Sequence, residues 1–185
     1  GIPYDGTDVP SPAAYARVVA DTLGDLECEF LFEPGRMIVG NAGLLVTKVL
    51  YVKKGTARDF VIIDAAMNDL MRPSLYGARH EIIPIMEAAE SAVMTAVDVV
   101  GPVCETGDTF ATELLMSPVG QDDLLALRSA GAYGAVMAST YNSRALVPEI
   151  LVKGDQFAVV RERVNIDALL RHERLPNWLS EAPKT

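Results

Sequence analysis

The chain has 185 residues, half of them hydrophobic and 22% charged, with 25 acidic against 16 basic side chains and a formal net charge of −9. That length and apolar content suit one packed domain, or one domain with a piece of another, and exclude a disordered chain. The acidic excess argues against nucleic acid as a partner, and no apolar run approaches the roughly 18 residues of a membrane span.

Residues 10–24 read as a helix. Ser11 can cap it, Pro12 suits its first position, Gly24 can close it, and Tyr15, Val18, Val19 and Leu23 recur at helical spacing as one buried stripe. The run Cys28-Glu29-Phe30-Leu31-Phe32 then reads as a strand, ending at Glu33-Pro34-Gly35-Arg36. Helix followed by strand is half of a βαβ repeat, the grammar of a parallel sheet. Beyond residue 42 the pattern changes. Short strand-like runs follow at Leu44–Val52, Phe60–Asp64, Val93–Val100, Leu124–Leu127, Ala132–Met137, Ile150–Val152 and Phe157–Val160, with turn formers between them. Asn165–Arg171 reads as a final helical turn or two. The expected architecture is therefore the α/β end of one domain over residues 1–42, then an all-β domain over 43–185, an antiparallel sandwich or barrel.

Cys28 and Cys104 lie far apart, with no second Cys or His at ligand spacing, so neither a disulfide framework nor a metal site is expected and a reducing, cytoplasmic setting is. The first residues show no signal-peptide pattern, and a Gly at position 1 suggests a piece cut from something longer.

Four segments carry chemistry. Glu33-Pro34-Gly35-Arg36 sits at the C-terminal end of an expected parallel strand, where such sheets bind ligands; Gly35 lets the backbone approach a phosphate, Arg36 offers a planar fork and Glu33 a carboxylate. A plain strand-to-helix turn with a surface ion pair gives the same pattern. In the connection Asp64 to Gly77, Arg72 and Tyr76 are four apart and could jointly hold a carboxylate, unless Arg72 simply pairs with Asp69. Gly101-Pro102-Val103-Cys104-Glu105-Thr106-Gly107-Asp108 sets a thiol beside a carboxylate in a turn, where Cys104 could donate a proton or act as a nucleophile. Only His80 or His172 could activate it as a hydrolase, whereas Cys28, in an apolar run, reads as a small buried hydrophobe. Ala130 to Arg144 is rich in small residues and must pack closely against something, with Tyr133 projecting a hydroxyl or merely half-buried in a strand crossing.

Taken in order, the phrases EPGR, AAMNDLMRPSLYGARHE, GPVCETGD and SAGAYGAVMASTYNSR, with Gly-Ile-Pro-Tyr at the start, resemble the C-terminal part of the fold-type III, pyridoxal-phosphate-dependent decarboxylases, and among them the diaminopimelate decarboxylase family. The resemblance covers nearly the whole chain. It implies pyridoxal 5'-phosphate as cofactor and decarboxylation of meso-diaminopimelate to L-lysine, the last step of lysine biosynthesis. Glu33 would pair with the pyridine nitrogen, Pro34, Gly35 and Arg36 would contribute to the phosphate site, and Tyr133 would add its hydroxyl. Arg36, Arg72, Tyr76 and Tyr133 would hold the non-reacting carboxylate and Glu105 the ammonium beside it. Cys104 would protonate the carbanion, the Cys104-Glu105 pair coming from the neighbouring subunit of a homodimer. The family's Schiff-base lysine, stacking histidine and glycine-run phosphate loop would lie upstream of Gly1, so the chain would be the end of a (β/α)8 barrel plus a β domain, inactive without its upstream barrel half. Another fold-type III diamino-acid decarboxylase, a non-catalytic dimerisation module and, more distantly, a cysteine hydrolase are the alternatives.

Overall fold

The computed structural model describes residues 2–180. The described residues form two compact units, one up to residue 137 and one from residue 138 onward.

The first unit begins with α1, Pro12–Leu23, and the local chemistry is as expected: the Ser11 hydroxyl accepts from the Ala14 amide at 3.1 Å, Pro12 opens the helix, and the Gly24 amide donates to the Ala20 carbonyl. Its apolar stripe, however, is not buried: Tyr15 and Val18 are exposed, and Val19 and Leu23 only half-covered. Residues 28–32 likewise form no strand. Phe30, Leu31, Phe32 and Cys28 are all exposed, which corrects both the expected strand and the expected buried thiol. The physical reason is the same for both elements: a parallel strand needs a neighbour on each side and a helix needs the sheet to pack on, and none of the described residues supplies either. A short helix α2, Gly35–Val39, and a 3-10 turn at Gly40–Ala42 complete this segment.

From residue 45 the chain builds a six-stranded sheet. Its strands are β1 Leu45–Lys53, β2 Asp59–Ile63, β3 Ile82–Pro84, β4 Thr95–Val100, β5 Thr109–Met116 and β6 Leu124–Leu127, in the spatial order β3-β6-β1-β2-β4-β5. Four pairings are antiparallel, but β2 and β4 run parallel, with Phe60 opposite Asp98 and Val61 opposite Val99. The sheet is therefore mixed rather than antiparallel. The long stretch between β2 and β4 permits this, because it carries the chain back over the sheet to start β4 in the same direction. The stretch also contains a five-residue helix α3, Arg72–Tyr76, where a loop was expected. Val49, Val61, Ile63, Leu70, Val97, Val99, Phe110, Leu125 and Leu127 make the core.

Two expectations failed at β5 and at Ala132–Met137. No strand was expected over Thr109–Met116, which mixes polar and apolar residues; β5 is an edge strand and needs only one buried face. The Ala132–Met137 run is a turn ending in a 3-10 segment at Ala135–Met137. The second unit holds a separate hairpin, β7 Glu149–Lys153 with β8 Gln156–Arg161, tightened by an Arg161–Glu149 ion pair at 2.8 Å, then two short helices, α4 Ile166–Leu170 and α5 Asn177–Ser180. Among the described residues no helix is long and apolar enough to cross a membrane.

Candidate functional site

Glu33, Pro34, Gly35, Arg36, Arg72 and Tyr133 line one concavity of about 430 Å³. They come from three places in the chain, and each is fixed by a local device.

Arg72 opens α3 at the end of a buried loop. The Thr47 hydroxyl donates to Asp64 at 2.6 Å and accepts from the Ala65 amide at 2.9 Å, pinning the exit of β2 to β1. Asp69, itself buried, accepts from the Ala66 amide at 2.9 Å and so closes the turn just before Arg72. The expected small-residue segment does pack closely: the amides of Ala130 and Gly131 donate to the carbonyls of Gly43 and Gly40, and the Ser129 hydroxyl donates to Asn41 at 2.9 Å. A side chain at Gly131 would strike the Val39 carbonyl, so only glycine allows this approach. The stitch brings Tyr133 beside the turn that carries Arg36. Tyr133 itself has φ +58°, a left-handed conformation costly for a bulky residue and held here by the packing around it.

The electrostatics are unusual. Among the described residues neither Arg36 nor Arg72 has a carboxylate partner, and the Nε of each is buried without a hydrogen bond. The pairing of Arg72 with Asp69 is not what holds that guanidinium; aromatic rings are. It lies over three tyrosine rings, 4.0 Å from the centroid of Tyr76, 5.1 Å from that of Tyr133 and 5.6 Å from that of Tyr4. Arg36 also lies over Tyr4, at 4.8 Å. Two guanidiniums without carboxylate partners at the edge of one concavity have the chemistry to bind an anion with at least two negative oxygens.

Tyr4 and His80 stand beside these arginines, a place that the sequence alone did not give them. Tyr4 is 6% exposed and its ring sits 4.4 Å from that of His80, which is 5% exposed. His80 Nδ1 is 2.8 Å from the Arg128 carbonyl, so it carries the proton and Nε2 does not. Burial lowers the pKa of His80; the Arg72 charge adds to that, and the Arg128 carbonyl opposes it. His80 stands between Arg79 and Glu81 at the end of the phrase AAMNDLMRPSLYGARHE, and Tyr4 closes Gly-Ile-Pro-Tyr, but nothing in either phrase signals that the two rings stack.

Cys104 and Glu105 do not line the concavity. They are exposed on the turn between β4 and β5, and Cys104 is a free thiol. That turn is organised by Asp108, 2% exposed, which accepts from the amides of Val103 at 2.7 Å and Met67 at 2.6 Å. His80 is committed to Tyr4 and Arg128, which leaves the hydrolase alternative without its base from that side. Among the described residues no group of three or more His, Cys, Asp and Glu could hold a metal ion.

Residues 5–131 match the model of the pyridoxal-dependent decarboxylase C-terminal sheet domain. The chain is 46% identical over 181 residues to the diaminopimelate decarboxylase of Zymomonas mobilis, and 46% identical over 173 residues to that of Neisseria meningitidis serogroup A. Those alignments cover 97% and 94% of this chain but only 42% of either relative, so the chain spans less than half the length of the proteins it matches. Among solved structures, diaminopimelate decarboxylase from Helicobacter pylori in complex with L-lysine superposes with a TM-score of 0.82 at 40% identity, covering 92% of this chain and 42% of that one. The enzyme from M. jannaschii in co-complex with L-lysine gives 0.84 at 32% identity, over 97% of this chain and 42% of that one. A chlorella-virus arginine decarboxylase, at 14% identity and a TM-score of 0.62, shares the fold. With the mixed sheet, the ordered motifs and these matches agreeing, the chain belongs to the pyridoxal-dependent decarboxylases, of which it carries the C-terminal sheet domain.

Proposed function

We propose that the protein of which this chain is the C-terminal part removes CO₂ from meso-diaminopimelate to give L-lysine, as a cytoplasmic homodimer with a shared site. The observation that carries this reading is the gathering of Glu33, Arg36, Arg72 and Tyr133 around one concavity with both guanidiniums uncompensated. Relatives that share 46% identity bear the diaminopimelate decarboxylase name, and solved relatives hold L-lysine. In the whole protein, residues 1–42 are read as the closing segment of a (β/α)8 barrel and 43–185 as the β domain. The exposed stripe of α1 and the unpaired residues 28–32 are the surfaces such a barrel half would cover.

The residues present fit pyridoxal phosphate: the Arg36 guanidinium, without a carboxylate partner, suits a phosphate dianion, and Glu33 in the same concavity suits a protonated ring nitrogen. When bound, the cofactor supplies an electron sink for the pair released by the departing CO₂. Glu33 would hold the proton on that nitrogen, and Pro34, Gly35, Arg36 and the Tyr133 hydroxyl would hold the phosphate. Arg36, Arg72, Tyr76 and Tyr133 would orient the distal carboxylate of the substrate. Glu105 would accept from its distal ammonium, and Cys104 Sγ would deliver a proton to the carbon that has lost CO₂. Both would come from the partner subunit, which accords with an exposed Cys104–Glu105 turn away from the concavity of its own chain. Fixing one carboxylate and one amine of a two-headed molecule selects which end reacts.

The test is release of CO₂ by the full-length protein from diaminopimelate, ornithine and arginine supplied separately. Turnover of diaminopimelate at least about 100-fold above the other two is expected, because those lack the distal carboxylate that Arg72 would hold and leave its charge unpaired. Equal turnover of ornithine would contradict the assignment.

A further inference from the structure

Tyr4 is the one ring in the described residues that both site arginines share. The Arg36 guanidinium lies 4.8 Å and that of Arg72 5.6 Å from its centroid, and both arginines border the concavity. Tyr4 is 6% exposed and rests against His80, whose Nδ1 is tied to the Arg128 carbonyl, so the ring has a fixed support. Its hydroxyl is buried and has no hydrogen-bond partner, and the same is true of His80 Nε2. A buried hydroxyl without a partner is a cost, not a benefit; what the position gains must come from the ring. Two like charges drawn to one concavity repel each other when it is empty. An aromatic face, with its negative quadrupole, holds both without neutralising them, where a carboxylate would compete with the incoming anion.

We propose that Tyr4 is a positioning residue of the anion site: its ring face holds Arg36 and Arg72 side by side at the concavity, and its hydroxyl takes no part. This rests on the reading of that concavity as the site for the phosphate of the cofactor and the distal carboxylate of the substrate. It assigns no chemistry to Tyr4; the ring acts only through the two guanidiniums.

The test uses the full-length protein with Tyr4→Phe, Tyr4→Leu and a 3,4,5-trifluorophenylalanine placed at position 4. Affinity for pimelate, a seven-carbon dicarboxylate, is measured by calorimetry on the cofactor-loaded protein, and affinity for inorganic phosphate on the cofactor-free protein, with a melting temperature for each variant. Tyr4→Phe should bind both probes within about twofold of wild type, the trifluorinated ring about fivefold more weakly, and Tyr4→Leu about tenfold more weakly. The fluorinated ring is slightly larger than that of phenylalanine and its face is no longer negative, so where its melting temperature matches that of Tyr4→Phe, a purely space-filling role would leave the two affinities equal. That equality would overturn the proposal, and it decides the matter even if Tyr4→Leu does not fold. A loss in Tyr4→Phe as large as in Tyr4→Leu would also overturn it, by giving the role to the hydroxyl. Wild-type protein that binds neither probe would instead refute the anion-site reading and this proposal with it. Binding by the wild type with no difference among the variants would refute the role of Tyr4 alone.

Discussion

His80 is neutral because it is buried, and that has a consequence for stability. Its folded pKa lies below the ordinary value of 6.5, so below that pH the unfolded chain takes up a proton that the folded one refuses. Stability contributed by the neutral ring is complete above the unfolded pKa and is lost as pH falls from there toward the folded value. The wild type should therefore lose more melting temperature between pH 7.5 and 5.5 than His80→Gln does, as read by thermal denaturation; equal losses would show that His80 is not the group responsible. Cys104 and Arg72 separate chemistry from binding. In the full-length protein Cys104→Ala should slow turnover by roughly 100- to 10,000-fold, the range of a positioned proton donor, while the cofactor absorbance stays intact. Arg72→Ala should chiefly raise KM. An unchanged KM would remove Arg72 from the substrate site, and a lost cofactor band in Cys104→Ala would make that thiol structural.

The elements that were legible in the sequence are those whose signal is local. The cap of α1 at Ser11, strands β1, β2, β4 and β6, and the β7–β8 hairpin follow from capping residues, apolar runs and turn formers. What was not legible depends on neighbours far along the chain. Residues 28–32 have the composition of a strand but, among the described residues, no strand to pair with, and β5 carries no apolar run of its own yet is held as an edge by β4. The parallel pairing of β2 with β4 is set by the route of the chain between them, which no periodicity reports. The candidate site divides the same way: Glu33, Arg36, Arg72 and Tyr133 stand in phrases whose residue types point to their chemistry, whereas the place of Tyr4, though it closes Gly-Ile-Pro-Tyr, comes only from three-dimensional stacking. The Gly131 stitch tests how the elements carry the site. Gly131→Ala pushes a methyl into the Val39 carbonyl and should cost about 1–3 kcal/mol in denaturant unfolding. It should also weaken phosphate binding by the full-length protein, since Tyr133 and Arg36 are brought together by that contact. A variant as stable as wild type would show that the two segments can separate freely.

The molecule as a whole carries apolar surface that a self-sufficient domain would cover. Tyr15, Val18, Leu31 and Ile38 are exposed in the first unit, and Leu151, Val152 and Phe157 in the hairpin of the second. The five lysines present, at 48, 53, 54, 153 and 184, lie in none of the matched motifs. This chain on its own, mixed with pyridoxal phosphate and borohydride, should therefore give no stoichiometric adduct at a single lysine by mass spectrometry, and such an adduct would mean that the upstream half is not needed for it. The shared site is the claim on which the rest turns, and complementation tests it most directly. Full-length Arg72→Ala and Cys104→Ala proteins are dissociated, mixed and reassociated, and CO₂ release is measured at a diaminopimelate concentration far below the raised KM of Arg72→Ala, where each is nearly inactive alone. If Arg72 and Cys104 serve one site from two subunits, half of the dimers are mixed and each has one intact site, so about a quarter of wild-type activity returns. A mixture that stays as inactive as its parts, with exchange of subunits verified, would place both residues on one chain's site and contradict the account.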